Sequence, residues 1–360
     1  MNKRTFLDID WGLLTPVLIL LILGLTTIFT ININLFKSQL IFSIISIFVF
    51  FFFSKINYHT IKQYDFIIYV SSILLLLLVL IIGIESRGSV RWFEFLGFRV
   101  QFSELIKPFL IFSFASFLSS QDKKSFKNFI LNLVFLFPIA LLIFLQPDLG
   151  NALVFVFVVF LVLFNLGFSI RFFILSFLFF LSMLPIIWNF LHGYQRERLI
   201  TFLNLKSDPL GTSYNAIQAI IAIGSGSLFG RGLGQGTQSI LRFLPERHTD
   251  FIFSTLSEAL GFFGALIVIG AFIFLLAKIH SIYNQSDDYF CKLVAVSSFF
   301  LIFVQFSINI GMNLGVLPIV GITLPFVSYG GSSLLSNFIL LGFLSSIVKT
   351  SSNREILEIR

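Results

Sequence analysis

The chain has 360 residues, 57% of them hydrophobic and only 11% charged, a balance far outside that of a water-soluble domain. Lys and Arg outnumber Asp and Glu by 24 to 17, a net charge of +7. In so apolar a chain that excess points to loops beside anionic lipid and away from nucleic acid. The one cysteine, Cys291, excludes an intramolecular disulfide and a cysteine-based metal cluster.

Apolar runs approaching the roughly 20 residues needed to cross a bilayer predict an all-α integral membrane protein with about ten transmembrane helices. They fall near 13–31, 38–54, 66–84, 103–119, 129–145, 148–166, 171–191, 251–275, 290–313 and 329–348, and residues 1–360 read as a single polytopic domain. No small-residue cleavage pattern follows the first run, which is read as a retained helix. An even count puts both termini on one side. The loops on that side carry mostly lysine, among them Lys3, Lys55, Lys62, Lys123, Lys124, Lys127, Lys278, Lys292 and Lys349, together with Arg4, Arg171, Arg354 and Arg360. The positive-inside rule makes it cytoplasmic.

The opposite loops favour arginine: Arg87, Arg91 and Arg99 before the fourth span, then Arg196, Arg198, Arg231, Arg242 and Arg247, with Lys206, before the eighth. The planar guanidinium fork suits bidentate binding of phosphate, so these arginines point to an anionic substrate on the outer face. The 191–250 segment is too long for a bare loop and is expected to be structured. Within it, Ser213 starts a predicted short helix in or near the outer leaflet, with Ala216, Ala219 and Ala222 spaced for close packing.

Four stretches carry candidate chemistry. Glu104 and Lys107 stand at i and i+3 on the fourth span, where a buried charge needs a partner. Pro147 and Asp148 open the sixth span, with Asp148 suited to the positive end of that helix. Glycines at 224, 226, 230, 232, 234 and 236 let backbone amides approach an anion, but no Lys-Ser/Thr follows and no strand precedes, so no nucleotide cofactor is expected. Asp250 opens the eighth span and shares a helical face with Ser254, Ser257, Glu258, Gly261 and Gly264, a face that should line a polar cavity or a helix contact. Asp250 is either a general base with a raised pKa or an N-cap of that span. The segment from Asn309 to Leu334, broken by glycine and proline, reads as a re-entrant wall opposite Asp250.

GSVRW at 88–92, SELIK at 103–107, QPDLG at 146–150, YQRERL at 194–199, SDPLG at 207–211, IAIGSG at 221–226, LPERHTDFIF at 244–253 and LPFVSYGGSSL at 324–334 together resemble the SEDS (shape, elongation, division and sporulation) family, in family order. YQRERL, SDPLG and LPERHTDF are most like its elongation member, with the division member the near alternative. The resemblance implies a peptidoglycan glycosyltransferase that polymerises lipid II on the outer face of the bacterial cytoplasmic membrane. It also implies a class B penicillin-binding protein as transpeptidase partner. Asp250 takes the place of the family's catalytic aspartate, with a divalent metal cation implied beside it, although the sequence shows no ligand cluster of its own. Arg91, Arg99, Glu104, Lys107, Gln195, Arg198, Arg231, Glu246, Arg247, His248 and Ser328 are the expected substrate-binding residues, with Asp148 and Glu258 second in rank.

Three positions depart from the family pattern. Phe102 stands where a proline usually precedes Ser-Glu, Ala259 replaces a second glutamate, and Ala219 stands where serine is common. Phe102 should change how the fourth span starts. Outside the glycosyltransferase reading stand a lipid II flippase, which would gather its ionisable groups near the midplane, and a scaffold indifferent to charge at Asp250.

Overall fold

The computed structural model describes residues 10–86, 89–95, 98–121, 124–203 and 213–358. Lys3, Arg4, Arg87, Gly88, Lys123, Lys206, the SDPLG stretch and Arg360 lie outside them. The helices run in chain order as α1 (Trp11–Ile31), α2 (Ile33–Phe53), α3 (Tyr58–Gln63), α4 (Asp65–Ile82), α5 (Phe102–Leu105), α6 (Lys107–Ser119), α7 (Phe126–Leu145) and α8 (Leu149–Asn165). They continue as α9 (Ile170–Phe190), α10 (Gly193–Leu203), α11 (Tyr214–Ser225), α12 (Thr237–Ile240), α13 (Ile252–Gln285), α14 (Tyr289–Asn313) and α15 (Gly331–Glu358).

Among the described residues, eight helices are long and apolar enough to cross a membrane: α1, α2, α4, α7, α9, α13, α14 and the 331–349 part of α15. The shorter apolar helices α6 and α8 fall where the fourth and sixth spans are predicted. The fourth starts in two pieces. Phe102 begins the four-residue α5, a turn at Ile106 interrupts it, and α6 restarts at Lys107 with a proline in its first turn. That position suits proline because no intrahelical donor is needed there.

Helix α13 reaches Gln285, ten residues past the predicted end of the eighth span. Its 34 residues would measure about 51 Å if straight, well beyond the roughly 30 Å hydrocarbon layer. It is not continuous, because Gly261 has φ 68° and ψ −162°. Such a conformation is open to glycine and strained for any side chain. The groups freed at this break are satisfied by the preceding loop: Arg231 N donates to Glu258 O at 3.0 Å and Gly232 N to Ala259 O at 2.9 Å, while Phe262 N donates to Ser227 O at 2.9 Å and Phe263 N to Leu228 O at 3.3 Å.

A three-stranded antiparallel sheet replaces the plain loop expected before the fourth span. Its strands are β1 (Ile84–Ser86), β2 (Ser89–Phe95) and β3 (Phe98–Val100), in the order β1-β2-β3. Glu94 lies opposite Arg99 and Phe93 opposite Val100. The Phe93 ring meets Phe102 edge-on at 6.0 Å, which ties the sheet to α5.

The long 191–250 segment holds α10, α11 and α12. Ala216, Ala219 and Ala222 are buried, as their spacing predicts, and Ala219 and Ala222 form a small apolar cluster with Leu244 and Phe251. The sheet, the α7–α8 turn, this segment and the irregular 314–330 stretch share one end of the bundle, shown by their mutual hydrogen bonds. Lys55, Lys62, Lys124, Lys127, Lys278 and Lys292 lie in or beside the connections at the other end. There Asp10 pairs with Lys278 at 3.0 Å.

Candidate active site

Asp250 is half-buried immediately before α13. It is not the cap of that helix. The boundary residue is Phe251, without a side-chain cap bond, and the orphan donor Ser254 N is met from another helix by Asn313 Oδ1 at 3.1 Å. Ser254 Oγ also donates to Asn313 Oδ1, at 2.6 Å. The Nδ2 groups of Asn309 and Asn313 both donate to Asp250 O, at 3.1 and 2.9 Å, and Asn309 reaches on to Ile322 O at 2.7 Å. Two amides one turn apart on α14 thus fix the backbone that carries the carboxylate. Asn313→Ala is expected to destabilise the protein by about 1–3 kcal/mol, because Ser254 N is left buried without a partner. Thermal unfolding in detergent measures it.

The irregular stretch after α14 forms the wall that the sequence predicts. Ser328 Oγ donates to Thr249 O at 2.7 Å and accepts from Leu324 N at 2.8 Å, and Tyr329 N donates to His248 O at 2.8 Å. Ser328 is therefore a buried brace rather than an exposed substrate ligand. Glu246, at φ 48°, turns the chain into the site: its carbonyl accepts from Thr249 N and Phe251 N, and Thr249 Oγ1 lies 3.2 Å from its Oε2. Arg247 is half-buried. Burial, then the charge of Arg242, push its guanidinium below the usual arginine range, and its buried Nε has no hydrogen-bond partner among the described residues.

Arg198, exposed on α10, donates from Nη1 to Ile319 O at 3.2 Å. A β-carbon placed on Gly321 would lie 3.5 Å from Asp250 Oδ2 and 3.9 Å from Arg198 Nη1, so carboxylate and guanidinium both approach Gly321. From Arg198 a polar chain leads inward. Its guanidinium lies 5.5 Å from the Tyr194 ring, and Tyr194 OH donates to Pro147 O at 2.8 Å. Burial raises the Tyr194 phenol pKa, and the charges of Arg198 and Arg91 oppose that rise.

Asp148 is buried at 2% exposure and organises the next layer. It caps α8 through Asn151 N, accepts from Gln101 Nε2 at 2.7 Å, Asn151 Nδ2 at 2.9 Å and Ser103 Oγ at 3.3 Å, and pairs with Arg91 at 3.8 Å. One helical turn on from Ser103, Lys107 Nζ donates to Glu104 Oε1 at 2.7 Å, both side chains buried. Arg91 Nε, Glu104 Oε2, Asn151 Oδ1 and Gln195 Nε2 are buried and lack hydrogen-bond partners among the described residues. Buried polar atoms of this kind call for a ligand or ordered water.

Other expected residues lie apart. Arg99 is exposed on β3 opposite Glu94. Gln195 accepts from His192 N at 3.0 Å and so secures the start of α10. Arg231 donates from Nε to Ser225 O beside the break in α13. Three of the six glycines are closed off by the protein itself: Gly226 and Gly230 lie against the backbone of α13, and Gly236 against the Glu258 carboxylate, whereas Gly224 faces open space. The polar face of that helix thus makes a helix contact through Ser254 and a loop contact through Glu258. Gln101, Tyr194, Asn309 and Asn313 were not foreseen.

The divalent cation implied by the resemblance does not fit a protein donor set here. Among the described residues no three His, Cys, Asp or Glu side chains converge, and the Arg198 guanidinium approaches the same glycine, Gly321, as the Asp250 carboxylate. Magnesium or a chelator is accordingly expected to shift the melting temperature of the substrate-free protein by less than about 1 °C, since an ion that does not bind the folded state cannot stabilise it. Differential scanning fluorimetry checks this.

These features define a polytopic helical membrane protein with a polar, arginine-lined site at one end of its bundle. The cell cycle protein family of FtsW, RodA and SpoVE matches residues 7–353, and the chain belongs to that family. It is 41% identical over 282 residues to the peptidoglycan glycosyltransferase MrdB of Escherichia coli K12, covering 78% of this chain and 76% of the relative. Its fold is similar to a chain of a peptidoglycan synthase complex that coordinates polymerization and crosslinking, with a TM-score of 0.82 and 30% identity over 96% of this chain and 99% of the other. It is also similar to the rod shape determining protein RodA of Thermus thermophilus, with a TM-score of 0.74 and 28% identity over 96% and 98%.

Proposed function

We propose that the protein is a peptidoglycan glycosyltransferase that polymerises lipid II during cell elongation, and that Asp250 is its general base. The carrying observation is the approach of the Asp250 carboxylate and the Arg198 guanidinium to the same residue, Gly321. The elongation reading rests on the similarity to MrdB and RodA. The lysine-rich connections at the far end of the bundle support a cytoplasmic placement of that end and of both termini, which puts the site on the outer face.

In this reading, Asp250 takes the proton from the acceptor sugar hydroxyl as its oxygen attacks the anomeric carbon of the lipid-linked glycan. The bond from that carbon to pyrophosphate breaks on the opposite face, and the configuration inverts. Arg198, Arg91 and Arg247 supply positive charge for the departing pyrophosphate, where fixed donors act most strongly in a site shielded from water. The peptidoglycan synthase complex similar to this chain supports a class B penicillin-binding protein as transpeptidase partner.

The test is glycan polymerisation from labelled lipid II by the purified protein, with and without that partner. Product from the wild type supports the reading. Lipid II translocation without polymer, from a folded partner complex, would replace it with a flippase.

A further inference from the structure

Glu258 lies two turns below Asp250, is fully buried, and takes no part in the reaction as proposed. Its carboxylate leaves α13 to grip the loop that precedes it. Oε1 accepts from Gln238 N at 2.8 Å, and Oε2 accepts from Ser239 N at 3.0 Å and from Ser239 Oγ. The loop is shaped for this grip: a β-carbon on Gly236 would stand 2.5 Å from Oε2. From there the connection runs directly to the site. Gln238 O accepts from Leu244 N at 3.1 Å, and Leu244 is fully buried against Phe251, the neighbour of Asp250. The loop is also laced into the break at Gly261 through Arg231, Gly232, Ser227 and Leu228.

We infer that Glu258 is a positioning residue, whose carboxylate clamps residues 236–239 to α13 and thereby sets where the 244–250 segment presents Asp250. The inference rests on the reading of Asp250 as the base. Glutamine at 258 keeps the size of the side chain but replaces one acceptor oxygen with an NH2 donor, so either Gln238 N or Ser239 N loses its acceptor and the clamp opens without leaving a cavity. Displacement of a reacting group by about 1 Å is enough to cost up to about 10²-fold in rate.

The experiment uses the full-length protein with Leu241→Cys carrying a nitroxide. Leu241 is 62% exposed, whereas the native Cys291 is 1% exposed, so the label goes to the loop. In Glu258→Gln the nitroxide spectrum is expected to sharpen, and kcat for polymerisation to fall by about 10–100-fold with KM for lipid II within about threefold. Ser239→Ala, which keeps both backbone donors, should move both readouts in the same direction by less. A wild-type kcat in Glu258→Gln, or a lowered kcat with an unchanged nitroxide spectrum, overturns the inference. Should Glu258→Gln fail to fold, Gly236→Ala attacks the same contact from the loop side, and wild-type values of both readouts there overturn it equally. Failure of the base assignment is seen separately, as full activity in Asp250→Asn with the nitroxide response to Glu258→Gln retained.

Discussion

Asp250→Asn is expected to lower glycan polymerisation by about 10²–10⁴-fold, the usual cost of removing a general base. The melting temperature should stay close to that of the wild type. The backbone of Asp250 is held by Asn309 and Asn313 through its carbonyl, and the first turn of α13 is capped by Asn313, so neither support uses the carboxylate. Asparagine keeps the shape of the side chain and removes its basicity. Loss of rate with the fold intact would separate chemistry from architecture, whereas polymerisation at the wild-type rate would move the base elsewhere, with Glu104 and Asp148 next to be tested.

Lys107→Ala is expected to destabilise the protein by about 3–5 kcal/mol, because it leaves the Glu104 carboxylate buried without its cation. The Lys107 and Glu104 side chains are only 1% and 7% exposed, and their contact at 2.7 Å sits where the chain restarts as α6. Replacing both, as Glu104→Gln with Lys107→Met, should return stability to within about 1–2 kcal/mol of the wild type, since a buried pair contributes little beyond its own desolvation. Unfolding of the single and double variants in detergent measures this. Activity of the stable double variant then decides the role of the pair: full activity assigns it to packing, and loss assigns it to the substrate.

The membrane helices and the Asp250 face were legible because both are written in helical spacing. Ser254, Ser257 and Glu258 recur at intervals that fall on one side of a helix whatever surrounds it, although Asp250 precedes α13 and the break at Gly261 separates Gly264 from that face. What that face meets was not legible. Ser254 finds its cap 59 residues away in Asn313, and Glu258 grips donors about twenty residues upstream, pairings that leave no periodic mark. For the same reason Gly226, Gly230 and Gly236, read as open to an external anion, prove to lie against the protein's own helix. Of the strands before α5, β1 and β3 were missed because three-residue strands carry too little alternation to be seen, and in the seven-residue β2 the adjacent apolar Trp92 and Phe93 break it.

The break at Gly261 bears on the order in which the protein is assembled. A helix interrupted inside a bilayer exposes backbone groups that cost several kcal/mol each when unpaired in hydrocarbon. Here all four partners, contributed by Ser227, Leu228, Arg231 and Gly232, precede α13 in the chain and are synthesised before Gly261. The cap at Ser254 comes from α14 and arrives later. A nascent chain halted after α13 therefore already has what it needs to close the interruption, while the first turn of α13 beside Asp250 waits for the next helix to set it.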